Sequence, residues 1–144
     1  IFKYYLPSTK VTQITNDFYD DLQPSYTEIE GFKGYLFTSN RPNNKVVKQK
    51  LDSILPNGNF DVFFYDLDNE EQRFVQVTAT PLANESFPQA YNDKYFSFLS
   101  DANGINSTYT GNFKNQKVEN KVYLYRNEPL KSSLFQTKHL YIIP

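Results

Sequence analysis

Reactive side chains are few in this sequence, and His139 is the only histidine among them. One imidazole cannot build a multi-histidine metal site, and a catalytic triad needs a serine and a carboxylate beside the imidazole in space. The Gly-x-Ser-x-Gly pattern that positions a nucleophilic serine does not occur. We therefore interpret His139 as an ordinary strand residue and predict no catalytic residue.

Two acidic groups are the next candidates for chemistry. Asp17, Asp20 and Asp21 crowd one turn-like region, whereas Glu28 and Glu30 are two residues apart and would share one face of a strand. Paired carboxylates hydrolyse glycosides when they lie about 5 to 9.5 Å apart across a cleft. The spacing in sequence gives no such distance. We interpret both groups as polar surface, and keep a carboxylate-dependent hydrolase as an alternative.

A short acidic segment, Asp66-Leu67-Asp68-Asn69-Glu70, has the composition of the start of a calcium-binding loop. The pattern fails at two required positions, because Glu71 stands where the loop needs glycine and Val77 stands where it needs glutamate. We predict a solvated hairpin turn here and no metal site.

Composition excludes several classes of protein. The absence of cysteine excludes disulfide scaffolds, cysteine nucleophiles and cysteine-ligated metals. Five glycines form no phosphate-binding loop, so we predict no cofactor. Fifteen basic residues are interleaved with sixteen acidic ones, which argues against nucleic acid as a partner. No apolar run is long enough for a transmembrane segment.

Aromatic residues are the main surplus, with 13 Phe and 12 Tyr but neither Met nor Trp. Such side chains fit a pleated, half-buried surface, and exposed tyrosines favour recognition of a protein or a carbohydrate surface. Seven tyrosines are candidates for exposed rings: Tyr4, Tyr5, Tyr91, Tyr95, Tyr109, Tyr123 and Tyr125. We predict that Tyr91, Tyr95, Tyr123 and Tyr125 bind the ligand. The competing interpretation is that these rings only cover the edge of a phenylalanine-rich core.

Alternating residues predict most of the elements that must position these side chains. The segment 60–65 is apolar on both faces, which predicts a central strand that pairs with 73–79. Gly34 inside a strand indicates a bulge or a close backbone approach. Residues 43–55 have helical periodicity and end at Pro56. Residues 86–100 fit either a helix that begins near Pro88 or a strand, and we favour the helix.

The elements together predict one domain over residues 1–144 of the α+β class, dominated by β structure. We expect a mostly antiparallel sheet, as a sandwich or a half-open barrel, with one or two short helices packed on it.

The function we expect is a non-enzymatic, extracytoplasmic binding or assembly domain that uses an aromatic-rich sheet surface. The sequence begins at Ile1 rather than Met, a start that removal of a signal peptide, of an anchor before Ile1 or of a tag would each leave, and Asn84 and Asn106 begin glycosylation sequons. These features favour a secreted, lipoprotein or surface-anchored chain. A further alternative is a small-ligand carrier with an apolar cavity on the order of 300 Å³.

Overall fold

A computed structural model describes residues 1–42, 56–69, 73–114, 121–126 and 140–142, with side chains as far as Phe113. The described strands are β1 (Phe2–Tyr5), β2 (Lys10–Gln13), β3 (Asp21–Ile29), β4 (Phe32–Ser39), β5 (Asp61–Asp66), β6 (Phe74–Gln76), β7 (Glu85–Ala90), β8 (Phe96–Ser100), β9 (Ser107–Lys114), β10 (Lys121–Arg126) and β11 (Leu140–Ile142). A 3-10 turn at Leu6–Ser8 is the one helical element in these ranges.

Three antiparallel sheets account for all the described strands. β1 and β2 form a two-stranded hairpin, β3-β4-β5-β6 form sheet B, and β11-β10-β9-β8-β7 form sheet C. The described sheets are open and do not close into a barrel. The β-dominated, antiparallel class predicted from the sequence is confirmed, and the sheet packing is compatible with a sandwich.

The first hydrophobic core lies between sheets B and C. Sheet B contributes Ile29, Leu36, Val62 and Phe64, and sheet C contributes Phe96 and Phe98. The ring of Phe113 lies 4.9 Å from that of Phe64 and 5.2 Å from that of Phe96, centroid to centroid, so it bridges the two sheets. Such tilted ring pairs add about 0.5–1.5 kcal/mol each beyond the area they bury.

A second core lies on the other face of sheet B. We call Phe37, Phe63, Tyr65 and Phe74 the aromatic cluster; Ile1 and Ile14 pack against it. Strand β5 therefore buries Val62 and Phe64 on one face and Phe63 and Tyr65 on the other, and it lies inside sheet B. This confirms the prediction of a central strand apolar on both faces.

Gly34 lies in β4 at a close approach between strands, as predicted. A Cβ atom there would overlap the carbonyl oxygen of Tyr65 and the ring of Phe64. Only a residue without a side chain lets β4 and β5 pair at this point.

The helix favoured for residues 86–100 is wrong. The segment forms β7 and β8, joined by a turn at residues 91–95. Pro88 lies in β7, which is an edge strand, and there its missing N–H breaks no ladder of hydrogen bonds. The other predicted helix, at 43–55, lies outside the described residues, as does His139.

Candidate functional site

Two of the four tyrosines predicted to bind ligand lie on one turn. Tyr91 ends β7 and Tyr95 precedes β8, and the N–H of Tyr91 donates a 2.8 Å hydrogen bond to the carbonyl oxygen of Tyr95. The Tyr91 side chain is exposed, whereas Tyr95 is half-buried. Tyr123 and Tyr125 lie in β10, opposite residues 112 and 110 of β9, and their side chains are outside the described set. The described structure thus brings Tyr91 and Tyr95 together.

A larger exposed apolar surface lies at the start of the chain. We call residues 2–13 the N-terminal hairpin; every one of them is exposed. Its large apolar side chains are 54–79% exposed: Phe2, Tyr4, Tyr5, Leu6 and Val11. Sequence reasoning included Tyr4 and Tyr5 among the candidate exposed rings, but it missed Phe2, Leu6 and Val11. A short apolar strand has the same local pattern whether it is exposed or buried, so no signal could have distinguished them.

The hairpin is fixed to the domain at its base and shaped at its tip. The N–H of Ile14 donates to the carbonyl oxygen of Ile1 at 2.9 Å, and both side chains pack on the aromatic cluster. At the tip, Pro7 lies in the 3-10 turn and Thr9 has a left-handed backbone with φ of 50°. The strands pair in continuous register from Phe2 opposite Gln13 to Tyr5 opposite Lys10.

Beneath this base lies a fully buried arginine. The Arg41 side chain is 0% exposed, and its Nη2 lies 2.6 Å from Oδ1 of Asp21 while its Nη1 lies 3.1 Å from Oδ2 of Asp17. Its Nε donates to Oγ of Ser39 at 3.0 Å. The guanidinium also stacks over the Phe74 ring at 4.7 Å. Burial of this cation is tolerated because two carboxylates and aromatic faces compensate for lost water.

The acidic residues considered for hydrolysis are thus distributed as follows. Asp17 and Asp21 converge, but on one shared guanidinium, with side chains only 1% and 4% exposed. Asp20 exchanges two hydrogen bonds with Asn40, Glu28 pairs with Lys33 at 3.4 Å, and Glu30 is exposed. The buried pair is used to hold Arg41, and the remaining three carboxylates point elsewhere.

A second pair of carboxyl groups was not anticipated from the sequence. Asp61 begins β5 and Glu85 begins β7. Thr80 donates a hydrogen bond to each of them: its N–H to Oδ1 of Asp61 at 3.2 Å, and its hydroxyl to Oε1 of Glu85 at 2.9 Å. Thr78 donates its hydroxyl to Oε2 of Glu85, and the N–H of Val62 approaches the same oxygen at 3.3 Å. We call Asp61 and Glu85 the carboxyl pair. It ties sheet B to sheet C.

Burial governs the protonation of the carboxyl pair. The pKa of Glu85 is raised from 4.5 to about 7, chiefly by desolvation; the nearby Asp61 charge contributes to the rise, and hydrogen bonds from Thr78 and Thr80 oppose it. Desolvation likewise raises the pKa of Asp61 from 3.8 to about 6, against hydrogen bonds from Thr80 and Gln76. The pair therefore takes up protons in the neutral range, where ordinary carboxyl groups stay ionised.

The calcium-like segment forms a local turn. Oδ1 of Asp66 accepts a 2.9 Å hydrogen bond from the N–H of Asp68, so this carboxylate closes the turn after β5. Among the described residues, no three acidic, histidine or cysteine side chains are grouped so that they could hold a metal ion. Across the same residues, no helix is long and apolar enough to cross a membrane.

Comparisons with protein-family models, with curated proteins and with solved structures find no match to this chain.

Proposed function

We propose that this chain is a binding or assembly domain whose main contact surface is the N-terminal hairpin. The observation that carries the proposal is the exposure of all twelve hairpin residues, five of them large and apolar. Single exposed apolar side chains are ordinary on protein surfaces, whereas several on one face, as Phe2, Tyr4 and Val11 are, are typical of a contact site. The proposal keeps the expected role and moves its centre from Tyr91 and Tyr95 to residues 2–13.

The shape of the hairpin supports a contact role. A two-stranded hairpin is marginally stable by itself in water, and it becomes stable when a further strand or surface packs on it. Here the paired strands, the Pro7 tip and the packed base at Ile1 and Ile14 hold the apolar side chains in a defined arrangement before any partner arrives. Such preorganisation lowers the entropy lost on binding.

The wider expectations from the sequence stay predictions. These are the extracytoplasmic location, the absence of turnover, and the alternatives of a small-ligand carrier or a carboxylate-dependent hydrolase. The commitment of Asp17 and Asp21 to Arg41 favours binding over hydrolysis at that place.

Site-specific photo-crosslinking tests the proposal. A benzoylphenylalanine in place of Tyr4 should give a crosslinked partner, or a crosslinked second copy, when the protein is irradiated in its source cells. The same label in place of Leu82, which is 93% exposed on a turn, is the matched control. A third label in place of Tyr91 tests the turn between β7 and β8.

The result expected is one defined adduct, identified by mass spectrometry, from position 4 but not from position 82. Equal adducts at positions 4 and 82, or a defined adduct only at position 91, would overturn the proposal. The replaced side chains are exposed, so an unchanged melting temperature is expected for all three labelled proteins.

A further inference from the structure

We propose, building on the function above, that the N-terminal hairpin takes an extended segment of a partner protein as a third strand, and that this segment alternates apolar and acidic residues. Strand addition to an open edge is an established mode of peptide recognition, in which backbone hydrogen bonds supply affinity and side chains on the two faces supply specificity. Among the described residues, β1 and β2 pair only with each other. Within this described part of the chain, each of the two strands has one edge without a strand partner.

One edge strand of each main sheet differs from the hairpin strands in sequence and register. β3 ends sheet B and β7 ends sheet C, and each contains a proline, Pro24 and Pro88, next to a register shift. Prolines and bulges are two of the devices that prevent an edge strand from pairing with another chain, beside short strands and charged side chains. Neither device occurs inside β1 or β2. Within the described part of the chain, the hairpin strands therefore lack the proline and the register shift that β3 and β7 have, and Lys3 and Lys10 would accept an acidic strand rather than a basic one.

The side chains of the hairpin specify what would pair with it. The register places Phe2, Tyr4 and Val11 on one face with Gln13. The other face carries both lysines, Lys3 and Lys10, together with Tyr5 and Thr12. Residues 1–16 contain no acidic side chain. A third strand would set its own alternate residues beside these two rows, where apolar neighbours and opposite charges are favourable. The complementary segment is therefore apolar at every second position and acidic between.

Charge also argues against two other occupants of the hairpin, a second copy of the chain and a lipid bilayer. Pairing between the hairpins of two copies would bring four lysines together, and like charges in register oppose pairing. The hairpin carries +2, which leaves −3 for the rest of a chain whose total is −1. A broad anionic surface such as a lipid bilayer would therefore repel the body while it attracts the hairpin. A single acidic strand interacts with the hairpin alone.

Peptide binding to the whole domain tests the inference. The probe is the capped peptide Glu-Val-Glu-Tyr-Glu-Val-Glu, compared with Lys-Val-Lys-Tyr-Lys-Val-Lys and with a form of the acidic peptide whose central Tyr is replaced by Pro. Titration is followed by amide chemical shifts. We expect the acidic peptide to bind about tenfold more tightly than either control, since charge and backbone pairing each contribute.

Charge reversal provides the decisive control. The double variant Lys3→Glu with Lys10→Glu should reverse the preference between the acidic and lysine peptides. Lys33→Glu with Lys94→Glu, changed at exposed sites in β4 and in the turn between β7 and β8, should leave it as it was. Three outcomes would overturn the inference. All three peptides could bind with equal affinity, or the acidic peptide could fail to bind at about 1 mM, the affinity expected of a weak strand contact. The third is an unchanged preference in the hairpin variant.

Two further measurements identify the competing occupants. A sedimentation coefficient that rises with protein concentration, and only with an intact hairpin, would indicate a second copy of the chain. Binding to phosphatidylglycerol vesicles that needs the hairpin would indicate lipid. Either result, combined with no peptide binding, overturns strand addition. A defined crosslink from position 4 together with failure of the acidic peptide would retain the proposed function and reject only the inference.

Discussion

The backbone N–H of Phe87 donates a 2.7 Å hydrogen bond to Oε1 of Gln23, and both residues have left-handed backbones, with φ of 51° and 54°. Each lies at the register shift of its own strand, so the bond joins the irregular parts of β7 and β3. In this conformation, a residue other than glycine carries a strain of roughly 1–2 kcal/mol. The edges of sheets B and C are therefore held together at a cost in backbone strain.

Replacement of the acceptor should loosen this junction. We expect Gln23→Ala to lower the free energy of unfolding by about 0.5–1.5 kcal/mol, because the exposed Phe87 N–H exchanges its protein acceptor for water. Phe87→Gly should raise it by about 1 kcal/mol, since glycine adopts positive φ freely. Urea denaturation followed by circular dichroism measures both. Gln89→Ala, an exposed glutamine on the same strand, is the control; an equal loss there would show that the hydrogen bond is unimportant.

The buried arginine should be the most sensitive charged residue described. Arg41→Met leaves the carboxylates of Asp17 and Asp21 buried without a cation, and we expect a loss of about 3–5 kcal/mol in unfolding free energy. Arg41→Lys, which keeps the charge but loses the planar fork, should lose less. Lys33→Met removes the exposed ion pair with Glu28 and should cost at most about 1 kcal/mol. Similar losses for Arg41→Met and Lys33→Met in thermal or urea unfolding would contradict this.

The carboxyl pair predicts a pH dependence with a definite sign. Both pKa values are raised in the folded state, to about 7 for Glu85 and about 6 for Asp61, so between about pH 4 and 7 the folded protein binds more protons than the unfolded chain. The free energy of unfolding should therefore fall as pH rises through this window, by up to about 1.4 kcal/mol per pH unit for each group.

Glu85→Gln isolates that contribution. The amide cannot ionise, so unfolding free energy measured by urea titration at several pH values should decline less steeply above pH 5 than in the unmodified protein. Glu28→Gln, at an exposed carboxyl group, should leave the slope as it was. An identical slope in the protein with Glu85 and in Glu85→Gln would assign the pH dependence to other groups.

Gly34 should tolerate no side chain. Gly34→Ala places a methyl group against the Tyr65 carbonyl and the Phe64 ring, and we expect a loss of about 2–4 kcal/mol as β4 and β5 are forced apart. Gly31 has a positive φ of 87° but open space around it, so Gly31→Ala should cost only about 1 kcal/mol. Thermal unfolding of the two variants checks the order, and a reversed order would refute the close-approach argument.

Local pattern predicted much of the fold. Alternation located most of the described strands, double-sided apolarity placed β5 inside its sheet, and Gly34 marked a close approach. The error at residues 86–100 has a local cause. Tyr91 and Tyr95 stand four apart because a turn separates two strands, and this spacing imitates one face of a helix.

The candidate sites were harder to predict because their parts are distant in sequence. Arg41 meets Asp17 and Asp21 across 24 and 20 positions, and Asp61 meets Glu85 across a similar interval, so no short window contains either set. The acidic group at 17–21 was noticed, but its partner Arg41 was not. The exposure of the hairpin depends on the absence of tertiary packing against it, and the alternation of apolar and polar residues along a strand carries no information about that packing.

The anchoring of the hairpin by Ile1 and Ile14 has an evolutionary consequence. The two strands leave the domain side by side and residues 2–13 are all exposed, so we expect substitutions there to change the free energy of unfolding little. The hairpin can therefore be exchanged while the rest of the fold stays the same. Its composition can track a changing counterpart, or be replaced by grafting, while the remainder of the chain keeps its architecture.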